Sequence, residues 1–186
     1  MSNNVVTSLA RNLAAAGAVA LTFNYAGVGD SEGGPADWPA VMSEFWNKGC
    51  FQEEADWIED TSAAIAALRE WCDRPLVLLG YSFGCWTIAQ HAAIPSRTLI
   101  LISPNPKKHA FAGLDGCNTP LLVLHSDNDF ACGADEIASW FDGLGEPKTR
   151  RVLPAGEHFF RGEEEKVVRA VLDFLTAMKL EGVTSI

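Results

Sequence analysis

The chain has 186 residues, 48% of them hydrophobic and 20% charged, with a formal net charge of −10 and a pI near 4.8. This suits one soluble domain with a sizeable core, and the acidic balance argues against an electrostatic hold on nucleic acid or anionic lipid. No apolar run approaches the roughly 20 residues of a membrane span, and Cys50, Cys72, Cys85, Cys117 and Cys132 are scattered without C-x-x-C spacing, so a cytoplasmic protein with reduced thiols is expected.

Residues 5–16 repeat apolar side chains at helical spacing, and Gly17 is a natural stop. Residues 18–23 form an apolar run that predicts a short strand, leading into the glycine-rich turn Asn24-Tyr25-Ala26-Gly27-Val28-Gly29-Asp30-Ser31-Glu32-Gly33-Gly34. No helical pattern follows this Gly-x-Gly, which excludes a dinucleotide-binding fingerprint. Residues 35–51 are read as irregular and unusually aromatic, with Trp38, Phe45, Trp46 and Phe51 around Met42. They form either a loop that covers part of the core or a lid-like wall for a substrate's acyl group.

Residues 52–72 predict a helix with Ala55, Ile58, Ala63, Ile65, Ala66 and Leu68 on its apolar face, and with Glu53, Glu54 and Asp56 near its positive end. The aliphatic run Leu76-Val77-Leu78-Leu79 then ends in Gly80-Tyr81-Ser82-Phe83-Gly84, and a helical pattern follows through Trp86, Ile88, Ala89, Ala92 and Ala93. A strand that turns into a helix within one residue holds that residue in a strained conformation. Small neighbours two positions to either side let the two elements approach. Ser82 Oγ is therefore expected at a helix N-terminus, where free N–H groups favour a developing oxyanion. Further strands are expected at 98–102, 120–124 and 150–153, and further helices at 134–141 and 163–179, with an irregular crossing at 103–118. Short aliphatic strands alternating with helices predict a single α/β domain over 1–186. Its sheet is open and mostly parallel, with helices on both faces.

In such a sheet the chemistry gathers at the C-terminal strand ends. A serine hydroxyl needs an imidazole to take its proton, and the imidazole needs a carboxylate to fix its tautomer. His158, just past the last strand, is the favoured base, with His109 and His125 as alternatives; His91 sits within the helix after Ser82. The acid follows the preceding strand, in His125-Ser126-Asp127-Asn128-Asp129. Asp129 is favoured over Asp127, because the nearer carboxylate often caps the turn. The order Ser82, Asp129, His158 is that of α/β-hydrolases.

The chain resembles the α/β-hydrolases, in particular small bacterial members. The resemblance is carried by Asn3-Asn4-Val5-Val6, the turn from Phe23 to Gly33, the elbow around Ser82, the Asp129 turn and Gly156-Glu157-His158-Phe159-Phe160. It implies cofactor-free hydrolysis of a small-molecule carboxylic ester or related acyl bond. Ser82 would be the nucleophile, His158 the proton shuttle, Asp129 its support and Phe83 N–H an oxyanion donor. Trp38, Phe45, Trp46 and Tyr81 are assigned to the substrate wall.

In that family a strand ending in a His-Pro or His-Gly loop precedes the first helix and supplies a second oxyanion donor. This chain starts where that loop would end, so either Met1 to Asn3 supply what donor they can or the sequence is shortened. In that family the same strand also sits between the 18–23 and 76–79 strands, so these two are expected to pair directly here unless the sequence is shortened, and a homo-oligomer is expected to cover the exposed edges. The alternative to an esterase is a non-catalytic binding protein of the same fold with an incomplete oxyanion hole.

Overall fold

The structure is a computed structural model, which describes residues 4–154 and 156–178. Four parallel strands, β1 (Val77–Tyr81), β2 (Thr98–Ile102), β3 (Leu121–Ser126) and β4 (Lys148–Leu153), lie side by side in sequence order. The helices are α1 (Asn4–Ala15), α2 (Trp38–Lys48), α3 (Glu54–Trp71), α4 (Phe83–Ala89), α5 (Ala134–Asp142) and α6 (Glu164–Ala177).

Alternation along the strands divides the core into two layers. Leu78, Leu99, Leu101, Leu121 and Val123 point to one face, where they meet Cys85 and Ile88 of α4, Ile137 and Phe141 of α5, and Ile65 and Leu68 of α3. Ile100, Ile102, Leu122 and Leu124 point to the other, against Val5 and Leu9 of α1 and Val167, Val171 and Phe174 of α6. Consecutive parallel strands joined by crossovers of one hand place every connection on the same face. The opposite face is therefore left for the first and last helices. β2 and β3 are buried along their whole length, as strands covered on both sides should be.

Three expectations change. Residues 18–23 form no strand. They run extended, with Val19 and Phe23 half-exposed, and line one wall of a cleft whose other wall is Val77, Leu79 and Tyr81 of β1. Direct pairing of the two segments is thus not what the fold adopts: a gap separates them, and without a hydrogen-bonded neighbour an apolar run cannot become a strand. Residues 35–51 are not irregular either. Asp37 accepts the Ala40 N–H, Pro39 sits in the first turn, Val41 and Phe45 are buried, and Gly49 ends α2 in the left-handed conformation. The aromatic content masked an ordinary helix with both caps present. Finally, α3 buries Trp57 and Thr61, with Ile65 and Leu68 partly covered, while Ala55, Ala63 and Ala66 face solvent. The helix is rotated toward a third, aromatic cluster of Val28, Val41, Phe45, Phe51 and Trp57, which packs against Tyr25, Trp38 and Phe83. Among the described residues, no helix is long and apolar enough to cross a membrane.

Candidate active site

β1 passes into α4 through Ser82 alone, whose φ of 54° and ψ of −118° lie outside the regions that side-chain-bearing residues ordinarily occupy. Its backbone N–H is held by the Ile102 carbonyl of β2 at 2.8 Å, so the strained turn is anchored to the neighbouring strand. Gly80 permits the turn: a Cβ there would stand 2.2 Å from the Gly84 carbonyl oxygen. Gly84 is different from what the motif suggests. A Cβ on it would meet only the Tyr25 hydroxyl, at an ordinary 3.8 Å. The close approach is made by the backbone of Gly84, not by the space at its own Cα. Phe83 opens α4, so its N–H is among those that helix geometry leaves without an intrahelical acceptor.

Ser82 Oγ lies 2.9 Å from His158 Nε2, and His158 Nδ1 lies 2.9 Å from both carboxylate oxygens of Asp129. His158 and Asp129 are buried. With the carboxylate on Nδ1, that nitrogen carries the proton, and Nε2 presents its lone pair to the serine hydroxyl. Burial alone would raise the Asp129 pKa. The hydrogen bond and charge of His158 and the Ala131 N–H at 2.8 Å outweigh it and hold the carboxyl below its ordinary value.

The loop that carries His158 is fastened independently of Asp129. The Tyr81 hydroxyl donates to the His158 carbonyl at 2.8 Å, and the Ser126 hydroxyl donates to the Gly156 carbonyl at 2.7 Å. Ser126 also accepts the Asn128 N–H, and Asp129 accepts that of Ala131. The side-chain caps of this turn therefore include Ser126 and Asp129 itself, a task expected of Asp127. The alternative histidines are engaged elsewhere. His125 Nδ1 donates to the Ser126 carbonyl, and burial lowers its pKa. His91 bridges Ser62 and the Thr87 carbonyl. His109 does reach the site's wall, but its Nε2 is 2.6 Å from Glu54 Oε1.

Ser82 and His158 open into a cleft of about 1730 Å³ that extends along β1 to residues 18–23. The four residues assigned to its wall, Trp38, Phe45, Trp46 and Tyr81, all line it. Tyr81 does so with its hydroxyl already committed to the His158 loop. At the mouth, Phe130 stands 5.1 Å from the His158 ring and 6.3 Å from Trp46. On the inner side, His109 is stacked on Trp86 at 4.5 Å and tilted against Phe45 at 5.1 Å. The glycine-rich turn is a strut: Ala26 N–H donates to Asp60 at 2.7 Å, Tyr25 stacks on Trp57 at 4.8 Å, and its hydroxyl meets Thr87 at 2.9 Å. Residues 1–3, from which a second oxyanion donor was expected, lie outside the described residues. Among the described residues, no group of three or more His, Cys, Asp or Glu side chains is arranged to hold a metal ion.

A strand, a strained serine and a helix, with a histidine and an aspartate delivered by the next strand ends, are the parts of one fold family, and the sequence comparison decides it: residues 4–182 match the model of the alpha/beta hydrolase family. The chain belongs to that family. An uncharacterized protein of Rickettsia prowazekii is 25% identical over 96% of this chain and 74% of its own. Among solved structures, a putative alpha/beta hydrolase of Agrobacterium tumefaciens superposes with a TM-score of 0.80 at 23% identity, over 99% of this chain and 81% of that one. An alpha-beta serine hydrolase homologue from Coxiella burnetii gives 0.78 at 25% identity, over 94% and 77%. A serine hydrolase of Xanthomonas campestris, described as having no lid, gives 0.73 at 26% identity, over 95% and 74%.

Proposed function

We propose that this alpha/beta hydrolase is a serine hydrolase that cleaves a carboxylic ester through an acyl-enzyme. The observation that carries the reading is the continuous hydrogen-bonded line from Ser82 Oγ through His158 to Asp129, with 2.9 Å at each link. Ser82 Oγ attacks the ester carbon as His158 Nε2 takes its proton. The carbonyl oxygen becomes an oxyanion, for which Phe83 N–H is a donor, and Asp129 steadies the resulting imidazolium. Collapse expels the alkoxide, which takes the proton from Nε2. Water, deprotonated by His158, then releases the acid and restores Ser82.

Two further facts support parts of this reading. The carboxylate of Asp129 is held ionised by its surroundings, as the role requires. The five cysteines are free thiols, which fits the cytoplasmic setting we infer.

The test is labelling of the intact chain by a fluorophosphonate, together with turnover of p-nitrophenyl butyrate, each compared with Ser82→Ala. Labelling and turnover that vanish in the variant support the reading. An unlabelled, inactive wild-type chain would instead favour a binding protein built on the same fold.

A further inference from the structure

A phenylalanine follows each member of the line from Ser82 through His158 to Asp129: Phe83, Phe159 and Phe130. Their surroundings differ. Phe83 packs among covered rings, with the buried Phe45 at 6.5 Å and the buried His109 at 5.5 Å. Phe130 is 64% exposed and Phe159 40%, and with Trp46, at 39%, they form one rim along the cleft. Trp46 lies 6.3 Å from Phe130, and Phe130 lies 5.7 Å from Phe159. Both phenylalanines meet the His158 ring edge to face, Phe130 at 5.1 Å and Phe159 at 5.3 Å.

Large apolar side chains that reach water singly are ordinary, whereas a contiguous exposed group of them marks a surface with a use. The loops hold these rings in place. Asp129 Oδ1 accepts the Ala131 N–H at 2.8 Å, which closes a turn around Phe130. Phe160 is fully buried in the α1 and α6 layer, at a φ of 49° that a residue with a side chain adopts only under constraint. The turn that sends Phe160 inward leaves Phe159 half-exposed beside His158. Arg161 sits 4.7 Å over the Phe159 ring and Lys108 5.6 Å over that of Trp46. Both cations are engaged, Arg161 with Glu157 at 3.4 Å and Lys108 with the Trp46 carbonyl at 2.5 Å. The rim therefore offers a ligand its rings.

Its place against His158 says which half of an ester it meets. The proton that Nε2 takes from Ser82 must pass to the leaving alcohol oxygen, so that oxygen comes within hydrogen-bonding reach of Nε2. The group it carries then extends past the imidazole, where Phe130 and Phe159 stand. We propose that the Trp46, Phe130 and Phe159 rim is the alcohol subsite and takes a neutral, aryl-bearing alcohol. This rests on the reading of Ser82 as the nucleophile and adds the class of leaving group. An aryl ring gains edge-to-face contacts with Phe130 and Phe159 that a small alkyl group does not make.

Transfer of the acyl group to an added alcohol tests this, because an incoming alcohol occupies the subsite of the leaving one. The acyl-enzyme is formed from p-nitrophenyl butyrate in the presence of ethanol or 2-phenylethanol at equal concentration. His158 Nε2 takes the alcohol proton as the alcohol oxygen bonds to the acyl carbon. The bond to Ser82 Oγ then breaks, Oγ recovers the proton, and a butyrate ester leaves. The ratio of ester to butyric acid, read by chromatography, does not depend on how much of the protein is folded. The wild-type chain should capture 2-phenylethanol about tenfold better than ethanol. Phe130→Ala and Phe159→Ala should each cut that preference about threefold, and the double variant should bring the alcohols near parity. Trp71→Ala, which removes an exposed ring of α3 outside the cleft, should leave it unchanged. Equal capture by the wild type, or a preference that survives the double variant, overturns the proposal. So does a rim covered by a second copy of the chain, seen as a light-scattering mass that falls to the monomer's in Phe130→Ala while the alcohol preference stays. A wild-type chain that fluorophosphonate does not label refutes the nucleophile, and the subsite with it; a labelled chain without the preference refutes the subsite alone.

Discussion

Replacing Asp129 by asparagine changes almost nothing sterically and reverses the logic of the site. The carboxylate now lies 2.9 Å from His158 Nδ1 through either oxygen and accepts its proton. The amide of an asparagine can present its NH₂ to the ring, which then places the imidazole proton on Nε2. Nε2 is the nitrogen 2.9 Å from Ser82 Oγ, and once protonated it cannot receive the serine proton. The charge that steadies the imidazolium is lost as well. For a buried pair of this geometry the expected fall in kcat is about 10⁴-fold, equivalent to about 5 kcal/mol of transition-state stabilisation. Asp127 is exposed, and the two carboxylate oxygens that meet His158 Nδ1 are those of Asp129, so Asp127→Asn should alter kcat by no more than about twofold. Both are read from p-nitrophenyl butyrate hydrolysis at neutral pH, with thermal melts to confirm folding. A folded Asp129→Asn protein that kept a tenth of wild-type kcat would refute the argument, as would a larger loss in Asp127→Asn.

The glycines of the elbow should respond unequally. Gly80→Ala places a Cβ 2.2 Å from backbone and should lower the melting temperature sharply or prevent folding, whereas Gly84→Ala should fold and label with fluorophosphonate. Tyr81→Phe removes the hydroxyl that holds the His158 carbonyl. It should cost about 1 kcal/mol of stability and lower kcat severalfold with little change in KM, as measured by steady-state kinetics. Burial pushes the Cys132 thiol up to about 11 and raises that of Cys85 further, while Cys50 is exposed. Iodoacetamide at mildly alkaline pH should therefore alkylate Cys50 well before either, as peptide mass mapping would show. The folded-state pKa of Asp129 is depressed, so its contribution to stability is present above the ordinary aspartate range and is lost as pH falls below it. Acid melts of the wild type should show a steeper decline there than melts of Asp129→Asn.

The sheet was readable because its signal is local. A strand buried on both faces must be a short aliphatic run, and 98–102 and 120–124 are such runs; the first coincides with β2 and the second overlaps β3. Residues 18–23 carry the same local signal and are not a strand, because strand formation also needs a neighbour at hydrogen-bonding distance. No property of the segment itself reports whether that neighbour exists. The missed α2 is the reverse case. Its caps, Asp37 and Gly49, and the spacing of Trp38, Val41 and Phe45 were all present in the sequence. A rich aromatic content drew the reading toward a lid because large apolar side chains suit either role.

The candidate site divides along the same line. Ser82, Asp129 and His158 were legible because each must fall just after a strand, and strand ends can be counted along the chain. Their supports were not. Tyr81 reaches His158 across 77 positions, Ser126 reaches Gly156 across 30, and Glu54 reaches His109 across 55. Such pairs depend on how loops close, which the periodicity of either partner does not encode.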